Sequence, residues 1–251
     1  MGNFLTLVGK EEITAGLTIF KFKVSNLDFK PGQWVTLAAE VDDRKILRPY
    51  SVASAPYQLP EVELFVRAVI KDGKLGPFTS KLFVAKTGDR FEVVKVGGTF
   101  LLDESDKRRK ILVASGTGLA PFISMIRHEI KKCGMSDSIV VHGVSYAKDL
   151  AYKEELERYT RTGKLIKYIP TISRAEQDAS WKGETGRAES LIQNGRIDKI
   201  LGEEITKEKY DVYACGHPRM VDSVVNFFKG KGFVENKDVK FERYWSEPKK
   251  D

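Results

Sequence analysis

The rhythm of apolar residues changes once, near residue 104, and that change limits the chain to two unlike folding units. Before it, short β-rich runs such as Leu17 to Val24, Trp34 to Ala38 and Val62 to Ile70 are separated by turn signals, among them Pro31-Gly32 and Asp72-Gly73. This pattern predicts a small antiparallel barrel. After the charged stretch Asp103 to Lys110, apolar strands at Ile111–Ala114, Ile139–His142, Leu165–Ile169 and Asp211–Ala214 alternate with helix-like segments. Those segments are Pro121–Lys132, Leu150–Tyr159, Ala188–Gln193 and Pro218–Lys229. Such alternation predicts a parallel sheet covered on both faces, with ligands bound where its strands end. The expected fold is therefore two-domain, β followed by α/β, with a boundary near residue 104.

Composition narrows the chemistry. Two cysteines, Cys133 and Cys215, are too few for a disulfide framework or a four-cysteine iron–sulfur centre. His128, His142 and His217 do not stand in metal-ligand spacing, so no metal site is expected. Any redox chemistry then needs an organic cofactor. Met1 to Ile13 lacks the pattern of a signal peptide and no run of 18 apolar residues follows. A soluble, cytoplasmic protein with no membrane insertion is the expectation. The net charge of +7 suits an acidic partner, whether a protein, a nucleotide or nucleic acid.

Several short motifs carry candidate chemistry. Arg48-Pro49-Tyr50-Ser51, followed by Ser54, sets a permanent cation, an aromatic ring and hydroxyls at the end of one β segment. Strand alternation sends Arg48 and Tyr50 to one side, where a ligand could be held by its phosphate and stacked on its ring. The plain alternative is an edge strand with a proline and a packed tyrosine. Gly76-Pro77-Phe78-Thr79-Ser80 reads as a phosphate cradle at a helix start, or simply as a capped surface helix. Gly116-Thr117-Gly118 follows a strand directly and opens a helix with Pro121 in its first turn, a context that lets a pyrophosphate approach the backbone. Ser173, Arg174 and Arg187 are candidates for gripping an additional phosphate. Cys215-Gly216-His217-Pro218 repeats the strand, turn and helix arrangement.

In order, Arg48-Pro-Tyr-Ser, Gly76-Pro-Phe-Thr-Ser, Gly116-Thr-Gly-Leu-Ala-Pro, Ser173-Arg174, Cys215-Gly-His-Pro and Glu242-Arg-Tyr-Trp resemble the ferredoxin–NADP(+) reductase family, particularly its bacterial branch. The resemblance implies a six-stranded antiparallel FAD-binding barrel over residues 1–104. It implies a five-stranded parallel NADP(H)-binding domain over 105–251, ending in a segment that contacts the flavin. It also implies hydride exchange between NADPH and FAD and single-electron exchange with an acidic ferredoxin or flavodoxin, by a monomer that binds no nucleic acid.

Residue by residue, the resemblance implies that Arg48 and Pro49 lie at the FAD pyrophosphate and that Tyr50 stacks on the isoalloxazine. Ser51 would lie near the hydride-accepting nitrogen. Phe65, Val66 and Arg67 would line the flavin, with Gly76, Phe78, Thr79 and Ser80 as a second phosphate loop. Gly116, Thr117 and Gly118 would take the NADPH pyrophosphate, and Ser173, Arg174 and Arg187 its 2′-phosphate. Cys215 would edge the nicotinamide pocket, Glu242 would be the active-site carboxylate, Tyr244 would stack on the flavin and gate the nicotinamide, and Trp245 would cover the adenine. This sequence departs from the family at Ser145, where many bacterial members carry arginine, and in the tail Ser246–Asp251. The competing readings are an NADH-dependent reductase feeding an oxygenase or cytochrome, and a nonenzymatic basic binding module.

Overall fold

A computed structural model describes residues 3–68, 70, 71 and 74–244. The Asp72-Gly73 turn, Trp245 and the tail after it lie outside the described residues. The chain forms two units: one contains residues up to Leu102 together with Ala120–His128, the other Asp103–Leu119 and the residues from Glu129 onward. The segment Ala120–His128, placed by the sequence pattern with the second domain, thus packs with the first.

In chain order the first unit is built from β1 (Phe4–Thr14), β2 (Leu17–Lys23), β3 (Trp34–Val41), β4 (Arg44–Ser51), β5 (Glu61–Arg67), the two-residue pair β6 (Ile70–Lys71) and β7 (Lys74–Leu75), α1 (Pro77–Val84) and β8 (Arg90–Gly97). Six of these strands form an antiparallel sheet in the order β4-β3-β8-β1-β2-β5. Its two edges meet: Val52 bridges Leu64, and Ala53 N–H donates to Glu63 O at 2.8 Å. Closure removes the exposed strand edges that would otherwise pair with other chains. Alternating residues fill the interior, with Leu5, Phe20, Phe22, Val35, Leu37, Leu64 and Phe91 fully buried or nearly so. Each such side chain contributes about 1.5–3 kcal/mol on leaving water.

The second unit adds β9 (Arg109–Ser115), α2 (Ala120–Cys133, its first nine residues counted with the first unit), β10 (Ser136–Val144), α3 (Lys153–Arg161), β11 (Leu165–Ile172), β12 (Glu184–Thr185), α4 (Ala188–Gln193), α5 (Arg196–Leu201), β13 (Tyr210–Gly216), α6 (Pro218–Gly230) and β14 (Val239–Arg243). The sheet is parallel in the order β12-β11-β10-β9-β13-β14. It holds the five expected strands and adds β12, a two-residue sixth at the edge of β11. Central β13 is buried at every position, as a strand covered on both faces must be. Ile111, Val113, Ile139, Val141, Val212 and Ala214 pack under α4, α5 and α6 through Leu191, Ile197, Val221 and Phe228.

The chain runs from β9 outward to β10 and β11, then returns to place β13 on the other side of β9. That reversal is a topological switch point, and the crevice at the carboxyl ends of β9 and β13 is where such sheets bind ligands. At the amino ends of the same strands lies a charge network. Arg108 donates to Asp238 at 2.8 Å and pairs with Asp106, and Lys240 donates to Asp211 at 2.7 Å and to Tyr213 Oη at 3.2 Å. Among the described residues no helix is long and apolar enough to cross a membrane.

Candidate functional site

In the first unit β4 pairs with β3 in unbroken register from Val41↔Arg44 to Trp34↔Ser51, so Arg48 and Tyr50 share a face. Arg48 is exposed and, among the described residues, its guanidinium donates to its own neighbour, Leu47 O, at 2.7 Å. Tyr50 is half-buried, its ring 5.8 Å from Phe78, and burial pushes its phenol up to about 12. The Thr79 side chain hydrogen-bonds that phenol. The Arg48–Ser51 strand and the Gly76–Ser80 helix start are therefore neighbours. Gly76 precedes α1 with Pro77 in the first turn, and Ser80 N–H donates to Gly76 O at 2.9 Å. Pro49 and Gly76 are exposed, and Ser51, Thr79 and Ser80 are half-buried.

Three expected contacts turn inward instead. Phe78 is 1% exposed and packs in the barrel core, 5.9 Å from Phe91, so only its backbone is left for a cradle. Val66 joins the same core with Leu64, because period-2 alternation sends it inside while Phe65 and Arg67 face the other way. Ser54 is buried, its Oγ accepting from Glu63 N–H at 3.1 Å and its carbonyl accepting from Ser124 Oγ at 2.7 Å.

In the second unit the turns after β9 and β13 interlock. A Cβ on Gly118 would stand 2.2 Å from Cys215 O, and one on Gly216 would stand 2.4 Å from Ser115 Oγ. Ser115 Oγ also accepts from His217 N–H at 2.9 Å. Gly116, at φ +53°, favours glycine for its backbone conformation, Gly118 needs it for space, and Gly216, at φ +129°, needs it for both. The Gly116–Leu119 turn then leads into α2, whose first amides have no partner within the helix. This is a backbone cradle of the kind that fits a pyrophosphate.

Beside it, Cys215 and Glu242 are register partners on β13 and β14. Cys215 is fully buried, and burial together with the Glu242 charge pushes its thiol up. Burial also pushes the Glu242 carboxyl up to about 7, and its Oε2 has no hydrogen-bond partner among the described residues. Tyr244 N–H donates to Gly216 O at 3.1 Å, and its hydroxyl donates to Thr117 O at 2.7 Å. The Tyr244 side chain also hydrogen-bonds Cys215. Thr117, Cys215, Glu242 and Tyr244 thus converge, although 127 residues separate the first from the last.

On the other side of β9, Ser173 N–H and Arg174 N–H donate to Val144 O and Ser145 O at 2.9 and 3.1 Å. Both residues are exposed. The Arg174 guanidinium donates to Tyr146 Oη and lies 5.2 Å from that ring's centroid. Gly186 is tied to the end of β11, its N–H donating to Ile172 O at 2.9 Å and its carbonyl accepting from Thr171 Oγ1 at 2.9 Å. Arg187, the next residue and the N-cap of α4, is held beside the same strand end and exposed. Tyr146 was not singled out by sequence; its position one residue after Ser145, at the end of β10, is the signal that could have found it. His142 is a second such residue. It is wholly buried, with Nε2 3.1 Å from Gly116 O and Nδ1 3.3 Å from Tyr168 Oη.

Residues 4–100 match the oxidoreductase FAD-binding domain and residues 112–226 the oxidoreductase NAD-binding domain. A flavodoxin/ferredoxin–NADP reductase of Shigella flexneri is 34% identical over 200 residues, covering 78% of this chain and 77% of that one. A ferredoxin–NADP reductase of Azotobacter vinelandii is 31% identical over 229 residues, covering 86% and 85%. The crystal structure of a ferredoxin NADP+ reductase from Neisseria gonorrhoeae with bound FAD and NADP has the same fold, with a TM-score of 0.84, 23% identity and coverage of 98% and 100%.

Proposed function

Since this chain belongs to the flavodoxin/ferredoxin–NADP reductase family, we propose that the two clusters flanking its Gly116 turn divide the recognition of one NADPH molecule between them. The protein is an FAD-dependent oxidoreductase that exchanges electrons between NADPH and ferredoxin or flavodoxin. FAD, when bound, supplies the chemistry that accepts an electron pair as hydride and releases electrons singly. What remains for the protein is placement and electrostatics.

In this reading Gly116, Thr117 and Gly118 hold the NADPH pyrophosphate. Ser173, Arg174 and Arg187 hold its 2′-phosphate, with Tyr146 fixing the Arg174 guanidinium. Cys215, Glu242 and Tyr244 mark the nicotinamide end, where the half-buried Glu242 carboxyl, its Oε2 without a partner among the described residues, can hold or release a proton near neutral pH. Arg48, Tyr50, Ser51, Thr79 and Ser80 hold FAD, with the phenol of Tyr50 fixed by Thr79 and the Arg48 cation free of any carboxylate among the described residues. Phe65 and Arg67 extend that surface along β5.

The observation that carries the reading is the convergence of Thr117, Cys215, Glu242 and Tyr244 at the sheet's switch point, with Arg174 and Arg187 on the far side of β9. The partner is read as an acidic carrier, supported by the net charge of +7. The enzyme is read as a monomer acting in the cytoplasm, where its two free cysteines, one of them exposed, suit a reducing compartment. The test is the rate at which the FAD-loaded enzyme reduces flavodoxins and ferredoxins with NADPH and, as control, NADH. NADPH-driven reduction that far exceeds the NADH rate supports the reading; equal rates overturn the assignment of the arginine cluster.

A further inference from the structure

His142 is a buried titratable residue to which neither the family motifs nor the proposed chemistry gives a task. It lies on β10, wholly inaccessible to solvent, opposite Ala114 of β9. Its Nε2 is 3.1 Å from the carbonyl oxygen of Gly116, which can only accept, so Nε2 carries the hydrogen. Burial pushes the imidazole down to about 4, so the ring holds a single proton near neutrality and its Nδ1 is an acceptor. The hydroxyl of Tyr168, itself buried, stands 3.3 Å from Nδ1 and donates to it. Both ring nitrogens are therefore committed, and the ring's orientation is fixed from β11 through to the Gly116 turn.

The consequence follows from the peptide plane. In a trans peptide the C=O of one residue and the N–H of the next point in opposite directions. A hydrogen bond that holds Gly116 C=O toward the buried imidazole therefore aims Thr117 N–H the other way, out of the sheet. That amide is one of the first in a helical turn and has no acceptor within it. Gly116, at φ +53°, is the residue whose flanking peptides would rotate most readily without such a hold. The next peptide is governed in the same manner, since Thr117 O accepts from Tyr244 Oη at 2.7 Å.

We propose that His142 is a positioning residue for the nucleotide, holding the Gly116 carbonyl so that the Thr117 amide presents its hydrogen to the pyrophosphate of NADPH. This rests on the reading of Gly116–Gly118 as the pyrophosphate turn. Because NADPH and NADH share that pyrophosphate, His142 acts on both nucleotides alike, whereas Arg174 separates them.

The experiment is calorimetric titration of the FAD-loaded enzyme with NADP+ and with adenosine 2′-monophosphate, which has the 2′-phosphate but no pyrophosphate. His142→Phe keeps an aromatic ring and removes the donor. It is expected to weaken NADP+ roughly 5- to 30-fold, the factor that one hydrogen bond of this kind carries, with adenosine 2′-monophosphate unchanged. His142→Gln, which can return an N–H to the Nε2 position, is expected to recover most of the affinity, and His142→Asn, whose amide falls short of it, is not. Thr117→Pro removes the amide itself at a helical position that tolerates proline, and reports on the underlying reading. If Thr117→Pro weakens NADP+ but His142→Phe does not, the role given to His142 is wrong and the turn stands. If Thr117→Pro leaves NADP+ binding intact, the turn is not the pyrophosphate site and the inference falls with it. If His142→Phe weakens both ligands equally, the histidine is only a packing residue. Should the Phe variant fail to fold, the Gln and Asn pair decides, and equal affinities in those two overturn the proposal.

Discussion

Cys215 and Glu242 sit side by side on neighbouring parallel strands, one a fully buried thiol and the other a carboxyl with a buried oxygen that no described group satisfies. Burial pushes both groups toward their protonated forms. The pair forms an apolar, proton-holding corner next to the Thr117–Tyr244 hydrogen bond.

The raised carboxyl should be visible in stability. Burial lifts Glu242 from its ordinary value near 4.5 to about 7, so the folded chain binds this proton more tightly than the unfolded one. Its contribution is fully present below about pH 4.5 and is lost as pH rises through about 7, a decline on the order of 2–3 kcal/mol with partial solvent access allowed for. Glu242→Gln removes the titrating group. Denaturation midpoints compared from pH 4.5 to 8 should show the variant gaining on the wild type across that window, and parallel curves would count against a buried, proton-holding Glu242.

Cofactor choice should rest on Arg174 and Arg187. Replacing both with Ala should raise the KM for NADPH roughly ten- to a hundredfold while moving that for NADH little, because charge-assisted phosphate contacts are lost only by the nucleotide that has the 2′-phosphate. Tyr146→Phe should have a smaller effect in the same direction, since it frees the Arg174 guanidinium from its hydroxyl. Steady-state kinetics with both nucleotides measures the ratio, and an unchanged ratio would remove these residues from the site.

Carrier docking through the basic surface should depend on salt. Attraction between exposed charges is screened over about 8–10 Å at ordinary ionic strength, so reduction of flavodoxin or ferredoxin should slow as salt is added. A small neutral acceptor should be reduced at nearly constant rate. Stopped-flow measurements with the two acceptor types across a salt series give the comparison; the same dependence for both would argue against charge-guided docking.

Tyr244 occupies space beside Thr117 and Cys215, on the side assigned to the nicotinamide. Tyr244→Ala vacates that space and releases the Thr117 carbonyl. If the ring competes with nicotinamide, the variant keeps its FAD, binds NADP+ more tightly and discriminates less against NADH. A ring that only packs would instead leave nicotinamide affinity unchanged while the protein loses stability, by less than the roughly 3–5 kcal/mol of a truncated core aromatic because Tyr244 is half-buried. Titration and thermal melts on the same variant separate the two.

The elements that sequence described well are those with local signals. Ala188–Gln193 matches α4 end for end, and Pro218 at the start of α6 is preceded by His217, whose side chain caps it by accepting from Arg219 N–H at 3.1 Å. The third helix begins at Lys153 rather than Leu150 because Tyr152 takes a left-handed conformation, φ +58°, which no residue type announces. Strand β14 was legible only as a motif, since Val239–Arg243 is short, mostly charged and given its shape by pairing with β13. Site residues divide the same way. Arg174, Arg187 and the glycine turn are readable from residue type and spacing. Tyr146 and His142 meet Arg174 and Gly116 only through neighbours brought in by sheet register, and Phe78 and Val66 are turned into the core by helix phase and strand alternation.

The order of the parallel sheet also bears on how this enzyme can change. The segments after β10, β11 and β12 carry Tyr146, Arg174 and Arg187, and the last residues of β13 and β14 carry the thiol and the carboxyl with Tyr244 just beyond, while β9 and its glycine turn lie between the two sets. The charge network that ties the strands together lies at their opposite ends. If the proposed roles hold, nucleotide preference, reactivity and thermal endurance are written on separate stretches of chain, so that mutation can explore one while the other two are inherited intact. A laboratory lineage selected to use NADH should accumulate its substitutions in residues 145–148 and 173–187 and leave the ends of β13 and β14 as they were.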